Sequence, residues 1–270
     1  VYGFLTQSSI PQLFLAGLIP GLALALAFMA ITVIICVIRP DLGGVRRTFP
    51  FPKMLRALID LIPIIILFGL IVGSIYRGWA TPTEAAAVGV AGAFAIALAF
   101  GGVSWSMLTQ SLTGTVKITS MIMLIIIGAS FLNFTLASAG LGRELTEFLT
   151  DMNLSPLSTI LVVVVLYIVL GFFIETLSLM VVTIPIIVPL VLAQGYDVIW
   201  FGILMIVLIE MALITPPVGL NLYVVQGARK SGNLNEVMLG ALPYCLTMLA
   251  MAFLLIAFPN IALFLPNLLK

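Results

Sequence analysis

Histidine is absent from this 270-residue chain, which excludes imidazole metal centres and histidine-based acid–base catalysis. Charge is scarce as well. Asp, Glu, Lys and Arg supply 8% of the residues, where a soluble domain carries roughly 25%. The net charge of +1 argues neither for nor against nucleic acid, and no such partner is expected. Only two cysteines occur, Cys36 and Cys245, both inside apolar runs where a thiol packs as a small hydrophobe. No disulfide between them is expected. Low-complexity stretches, tandem repeats and a soluble domain are missing too, and no basic segment with a small-residue cleavage site marks a signal peptide.

What is present is grease. Hydrophobic residues make up 63% of the chain, and the mean hydropathy of +1.32 is that of an integral membrane protein. Runs of about 20 apolar residues can span a bilayer. Residues 11–39 form the first, with Pro20-Gly21 expected to bend it. Residues 57–76 form the second and 85–100 the third. Between the first two, Arg39, Arg46, Arg47, Lys53 and Arg56 face the single acid Asp41, a cationic loop that the positive-inside rule places in the cytoplasm. Asp60 is expected to pair with Arg56, one helical turn away. Thr81-Pro82-Thr83-Glu84 has the form of a capping box with proline at the first helical position.

From Trp105 to Val116, apolar residues recur at helical spacing opposite Ser104, Thr109, Gln110 and Thr113, the outline of an interfacial helix. A fourth apolar run follows over 121–136. Its Ser130 and Asn133 are read as interhelical glue. Residues 143–152 read as a second surface helix. A fifth span over 157–173 ends in the polar tip Ile174-Glu175-Thr176-Leu177-Ser178, and apolar sequence resumes at once through Ala193. That pattern predicts a re-entrant hairpin.

Residues 200–214 are apolar again, but the run is broken by Thr215-Pro216-Pro217-Val218-Gly219. Two adjacent prolines remove two amide donors and obstruct the preceding turn, so a helix cannot pass. In hydrocarbon, freed backbone groups are costly unless something binds them. A bound ion satisfies them, and so does a proline kink packed by neighbouring helices. The acids Glu175 and Glu210 fall inside apolar sequence, where charge is a functional candidate. A capping role for Glu175 stands beside a binding role. For Glu210 a hydrogen bond to freed amides is expected. After 220–225 and a polar loop, 240–258 forms the last full span.

Several strings resemble the large membrane subunit of tripartite ATP-independent periplasmic (TRAP) transporters. They are Leu5-Thr6 with Leu15 to Gly21, Gly78 to Ala87, Phe173-Ile174-Glu175-Thr176 with Thr183 to Pro189, and Ile214 to Asn221. The resemblance covers essentially the whole chain but only the C-terminal three-fifths of the family's usual subunit. It implies an all-α polytopic membrane protein of the elevator type, with re-entrant hairpin and discontinuous helix. The resulting division is 1–103 as scaffold with the basic loop, 104–153 as arm and connectors, 154–232 as transport core, and 233–270 as the C-terminal span.

It further implies sodium-coupled uptake of an organic acid, such as a sialic acid or dicarboxylate, across the bacterial inner membrane. A periplasmic binding protein would deliver the acid and a small membrane subunit would brace the large one. Carried onto this chain, the sodium ligands are the Thr215 hydroxyl and the carbonyls of Gly171, Ala212 and Val218. The substrate is expected near Glu175, Thr176, Ser178, Pro216, Pro217, Gly219 and Asn221, where helix N-termini present amides to a carboxylate. A binding-protein-independent sodium/dicarboxylate symporter and a non-transporting scaffold subunit share the same physics. An intramembrane hydrolase does not, since no nucleophile–base pair is found. A polypeptide beginning at Val1 is expected not to transport by itself, because the first inverted repeat would be missing; uptake by it alone would overturn that expectation.

Overall fold

The computed structural model describes residues 1–43, 59–140, 155–216, 219–229 and 232–268. Among them all regular structure is helical, in eleven α-helices: α1 (Tyr2–Leu5), α2 (Ile10–Ile38), α3 (Ile62–Tyr76), α4 (Pro82–Ala99), α5 (Trp105–Ser138), α6 (Pro156–Gly171), α7 (Thr176–Ala193), α8 (Val198–Ile214), α9 (Leu220–Arg229), α10 (Leu234–Ala257) and α11 (Asn260–Leu268). A 3-10 turn, Pro40–Gly43, follows α2. In α2, α4, α7 and α10, and in the Trp105–Gly128 part of α5, the helix is long and apolar enough to cross a membrane. The chain is a multi-pass membrane protein. Its exposed surface agrees, since Leu22, Val33, Ile64 and Leu124 leave most of their side chains uncovered, a pattern that water tolerates poorly and lipid favours.

Packing groups the chain into two units, Val1–Ile38 with Ile122–Lys270, and Arg39–Met121. In the second, α3 and α4 pack as a pair. The turn joining them explains the glycine-tryptophan string seen in the sequence. Gly78 takes φ +67°, a left-handed conformation that suits glycine. The Trp79 and Ala80 amides then donate to the Ser74 carbonyl, and the Arg77 guanidinium lies 5.6 Å from the Trp79 ring centre. The predicted capping box is formed: the Thr81 hydroxyl accepts the Glu84 amide at 3.3 Å, and the Glu84 carboxylate accepts the Thr81 amide at 2.7 Å.

The first unit is built around α8. This helix packs against α2, α6, α7, α9, α10 and α11, and most of its length is buried. A helix apolar all round belongs in such a place. Its start is fixed by Asp197, whose carboxylate accepts the Ile199 and Trp200 amides at 2.7 and 3.1 Å. The Tyr2 hydroxyl donates to the Val198 carbonyl, and its ring lies where a Gly202 side chain would go, 2.5 Å from an ideal Cβ. Trp200 stacks on Tyr196 and donates its indole N–H to the Leu255 carbonyl at 2.8 Å. Leu255 needs that donor because four residues later stands Pro259, which has no amide hydrogen.

Three expectations are corrected. Residues 105–116 are not a separate interfacial helix, because α5 runs unbroken into the fourth apolar run. No proline interrupts the 105–138 stretch, and Thr115, Ser130 and Thr135 bond back to carbonyls one turn earlier, which satisfies them inside the helix. Ser130 therefore bonds within α5 rather than across helices. The helix after the proline break extends to Arg229, beyond the 225 expected, and Arg229 there pairs with Glu236 at 2.6 Å. The first span runs from Ile10 to Ile38 with Pro20 inside it, in line with the apolar run expected over 11–39. The proposed surface helix at 143–152, the Asp60–Arg56 pair and most of the cationic loop lie outside the described residues, as do the details of the Asn133 side chain.

Replacing Trp200 by Phe keeps most of the ring and removes the donor, leaving the Leu255 carbonyl unpaired in the core. The cost should be about 1–3 kcal/mol, read as a lower thermal midpoint of the detergent-solubilised protein. An unchanged midpoint would show that this bond does not hold α8 to α10.

Candidate functional site

The break is real and its backbone accounting follows from sequence. A helix ending at Ile214 needs donors four residues on for its last carbonyls. For Ala212 and Leu213 those donors would be Pro216 and Pro217, which have none. Thr215 turns out of the helix with φ −90° and ψ 127° and repairs part of the loss. Its amide donates to the Ala212 carbonyl at 3.2 Å, and its hydroxyl donates to the Met211 carbonyl at 2.6 Å. The Ile214 carbonyl accepts the Cys245 thiol of α10 at 3.2 Å. Among the described residues nothing donates to the Leu213 carbonyl.

Gly219 closes the break. It adopts φ +23°, and its amide plane is followed by a bond from the Leu222 amide to its carbonyl at 2.8 Å. A side chain on Gly219 would meet the Leu222 Cδ1 at 2.9 Å and the carbonyl oxygens of Thr215 and Leu213 at 3.0 and 3.1 Å. Glycine thus lets the backbone pass close to two carbonyl oxygens and a buried leucine methyl. Pro216 is half-buried. Pro217 and Val218 lie outside the described residues.

The helical hairpin formed by α6 and α7 supplies the other side. Ser155 and Pro156 start α6, with the Ser155 hydroxyl accepting the Ser158 amide. Deep in the hairpin, Tyr167 and Thr183 hydroxyls meet at 2.8 Å, and Thr183 also donates to the Leu179 carbonyl at 2.7 Å. The Tyr167–Thr183 bond ties the two arms together in the core. The tip is four residues long, from Phe172 to Glu175. Glu175 caps α7: its carboxylate accepts the Ser178 amide at 3.2 Å and faces the Ser178 hydroxyl at 3.4 Å. Gly171, the last residue of α6, abuts Ala212. An ideal Cβ on Gly171 would lie 2.5 Å from the Ala212 Cβ.

The structure therefore brings Gly171 and Ala212 into contact, with Thr215 one turn beyond Ala212. Glu175, Thr176 and Ser178 share the first turn of α7. Thr176 lines an apolar space of about 390 Å³ beside Tyr2, Phe4 and Ile203, whereas Asn221 lines one of about 580 Å³ with Glu210, Ile214 and Tyr244. The hydrogen bond expected for Glu210 is not formed with any described residue; the acid is exposed on that cavity instead. Cys245 is more than a packed hydrophobe, since its thiol serves the break. Sequence reasoning missed Leu213, although the signal was available: it stands four residues before the second proline.

Electrostatically, α6 and α8 end at Gly171 and Ile214, where a helix presents the negative end of its dipole. The α7 and α9 N-termini, at Thr176 and Leu220, begin a few residues later with the positive end. Two negative ends meet at the Gly171–Ala212 contact.

Comparison with known proteins gives a consistent picture. The family described as "Tripartite ATP-independent periplasmic transporter, DctM component" matches residues 1–261. The C4-dicarboxylate TRAP transporter large permease protein DctM of Pseudomonas aeruginosa is 34% identical over 99% of this chain and 62% of its own length. The sialic acid TRAP transporter large permease protein SiaM of Vibrio cholerae is 32% identical over 99% of this chain and 62% of its own. The isethionate TRAP transporter permease protein DctMQ of Oleidesulfovibrio alaskensis is 29% identical over 98% and 41%. The chain spans about three-fifths of the length of the first two.

Gly171→Ala should force two Cβ atoms together and cost about 1–3 kcal/mol by overpacking. Ala212→Gly in the same molecule should recover most of it. Thermal midpoints of the single and double variants check this, and losses that simply add would show that the two positions do not meet.

Proposed function

We propose, from the premise that the chain belongs to the DctM component family of tripartite ATP-independent periplasmic transporters, that it forms the ion- and substrate-binding part of a sodium-coupled carrier. The family is one of permeases, not enzymes. The cargo class is an organic acid, with the C4-dicarboxylate and sialic acid carriers among the relatives as guides. A periplasmic binding protein delivers it, a small membrane subunit braces the carrier in the bacterial inner membrane, and the hairpin and broken helix move together against the scaffold as an elevator.

One observation supports the sodium reading: the proline pair leaves carbonyl oxygens at the end of α8, and the oxygens of Leu213 and Thr215 converge on the Gly219 backbone, both within 3.1 Å of where its Cβ would be. Sodium is a hard cation that takes oxygen ligands. Thr215 fits it well, because its hydroxyl spends its hydrogen on the Met211 carbonyl and so turns lone pairs outward. The carbonyls of Leu213 and Thr215 join Gly171 and Val218 as backbone candidates. Ala212 is the weaker candidate, because its carbonyl already accepts the Thr215 amide.

The anion would approach from the opposite side. Helix N-termini at Thr176 and Leu220 offer amides and a positive dipole end to a carboxylate, with Ser178, Gly219 and Asn221 nearby in sequence and Pro216 and Pro217 setting the path of the chain. Glu175, as the α7 cap, would hold that helix start in place rather than touch an anionic substrate, which it would repel. Sodium and carboxylate would then each meet the dipole end of matching sign, and binding of one would favour the other.

In the complete transporter reconstituted in proteoliposomes, Thr215→Val should raise the sodium concentration needed for half-maximal uptake by roughly tenfold, the effect of losing one charge-assisted ligand. Normal sodium dependence in that variant would remove Thr215 from the ligand set. Uptake that needs no binding protein would favour the symporter alternative, and no transport under a sodium gradient would favour a scaffold subunit.

A further inference from the structure

Of the carbonyls freed at the end of α8, one is held from outside the broken helix. The Ile214 carbonyl accepts the Cys245 thiol at 3.2 Å across the α8–α10 contact. That carbonyl shares a peptide plane with the Thr215 amide. Cys245 is buried, 6% exposed, so water does not compete for the bond. A single side chain of α10 therefore holds the peptide plane from which Thr215 leaves the helix.

The alternatives to a thiol are instructive. A serine would place a shorter donor at the same carbonyl and keep the bond. A valine would fill the volume and donate nothing, leaving the direction of the Ile214 carbonyl unset. The sulfur donor is weak and long, yet it sets that direction.

We propose that Cys245 is a positioning residue for the sodium site: it orients the Ile214 carbonyl and the Thr215 hydroxyl from the C-terminal span, and so sets the affinity for the ion without touching it. This rests on the sodium reading above. Its consequence is that α10 belongs energetically to the site, although it contributes no ligand.

The test uses the complete transporter in proteoliposomes, with sodium half-saturation and maximal rate measured separately. Cys245→Val should raise half-saturation roughly three- to tenfold, the span of one ordinary hydrogen bond, with the maximal rate nearly unchanged. Cys245→Ser should lie close to wild type. A residue that only packs would lower the maximal rate or yield and leave half-saturation alone, which would overturn the assignment. Wild-type uptake indifferent to sodium would overturn the sodium reading and this role together; sodium-dependent wild type with an unshifted Cys245→Val would overturn this role only. Should Cys245→Val fail to fold, the S–H stretching band decides, recorded in protein whose other thiols are replaced. A band that shifts on adding sodium supports the role, and a band indifferent to sodium overturns it.

Discussion

Everything in the first unit answers to one constraint: backbone carbonyls left without donors in a medium that offers no water. Pro216 and Pro217 create the deficit at the end of the most buried helix of the chain. An unsatisfied polar group there costs about as much as a whole protein's margin allows for one or two errors. The chain retains the deficit and spreads its repair over three sources. Thr215 bends back with amide and hydroxyl, Cys245 reaches across from α10, and among the described residues nothing donates to the Leu213 carbonyl.

Repair by such different groups has a structural consequence. A helix end secured only by its own chain could shift as a unit, but this one is pinned from several directions. Asp197 and Tyr2 fix the far end of α8, Trp200 fixes it to α10, and Gly171 meets Ala212 with no room for one more carbon. The opening is thus placed to within the tolerance of packed side chains, the kind of support that lets a binding constellation hold its geometry. The same device appears twice, since Pro259 strips a donor from Leu255 just as Pro217 does from Leu213. At Leu255 a tryptophan fills the gap. At Leu213 no described residue does.

That contrast also marks how far the sequence could be read. Local rules were legible: the Thr81–Glu84 box, the tip at Glu175 and the break at Thr215 each depend on a few neighbouring residues, and each formed as the spacing predicts. Where polar residues can be satisfied in two ways, reading the chain fell short. The Thr and Ser residues of α5 looked like a surface stripe and a seam, but hydroxyls bonding one turn back make them neutral passengers of a long helix. Cys245 and Glu210 depend on which distant helix stands opposite, a tertiary fact that no local pattern encodes. Leu213 was within reach of arithmetic alone, by subtracting four from a proline.

The polarity of the arrangement carries the argument one step further. Breaking a helix creates two new ends of opposite sign, and the tip of the α6–α7 hairpin creates two more. Their signs alternate along the chain: negative at Gly171, positive at Thr176, negative at Ile214, positive at Leu220. Contact between Gly171 and Ala212 brings like ends together, which in a low dielectric is unfavourable until a cation lies between them or the chain offers donors. Among the described residues the donors at the end of α8 are the Thr215 amide and hydroxyl and the Cys245 thiol. None of them reaches Leu213, so the Gly171–Ala212 contact keeps beside it a carbonyl that its own helix cannot satisfy.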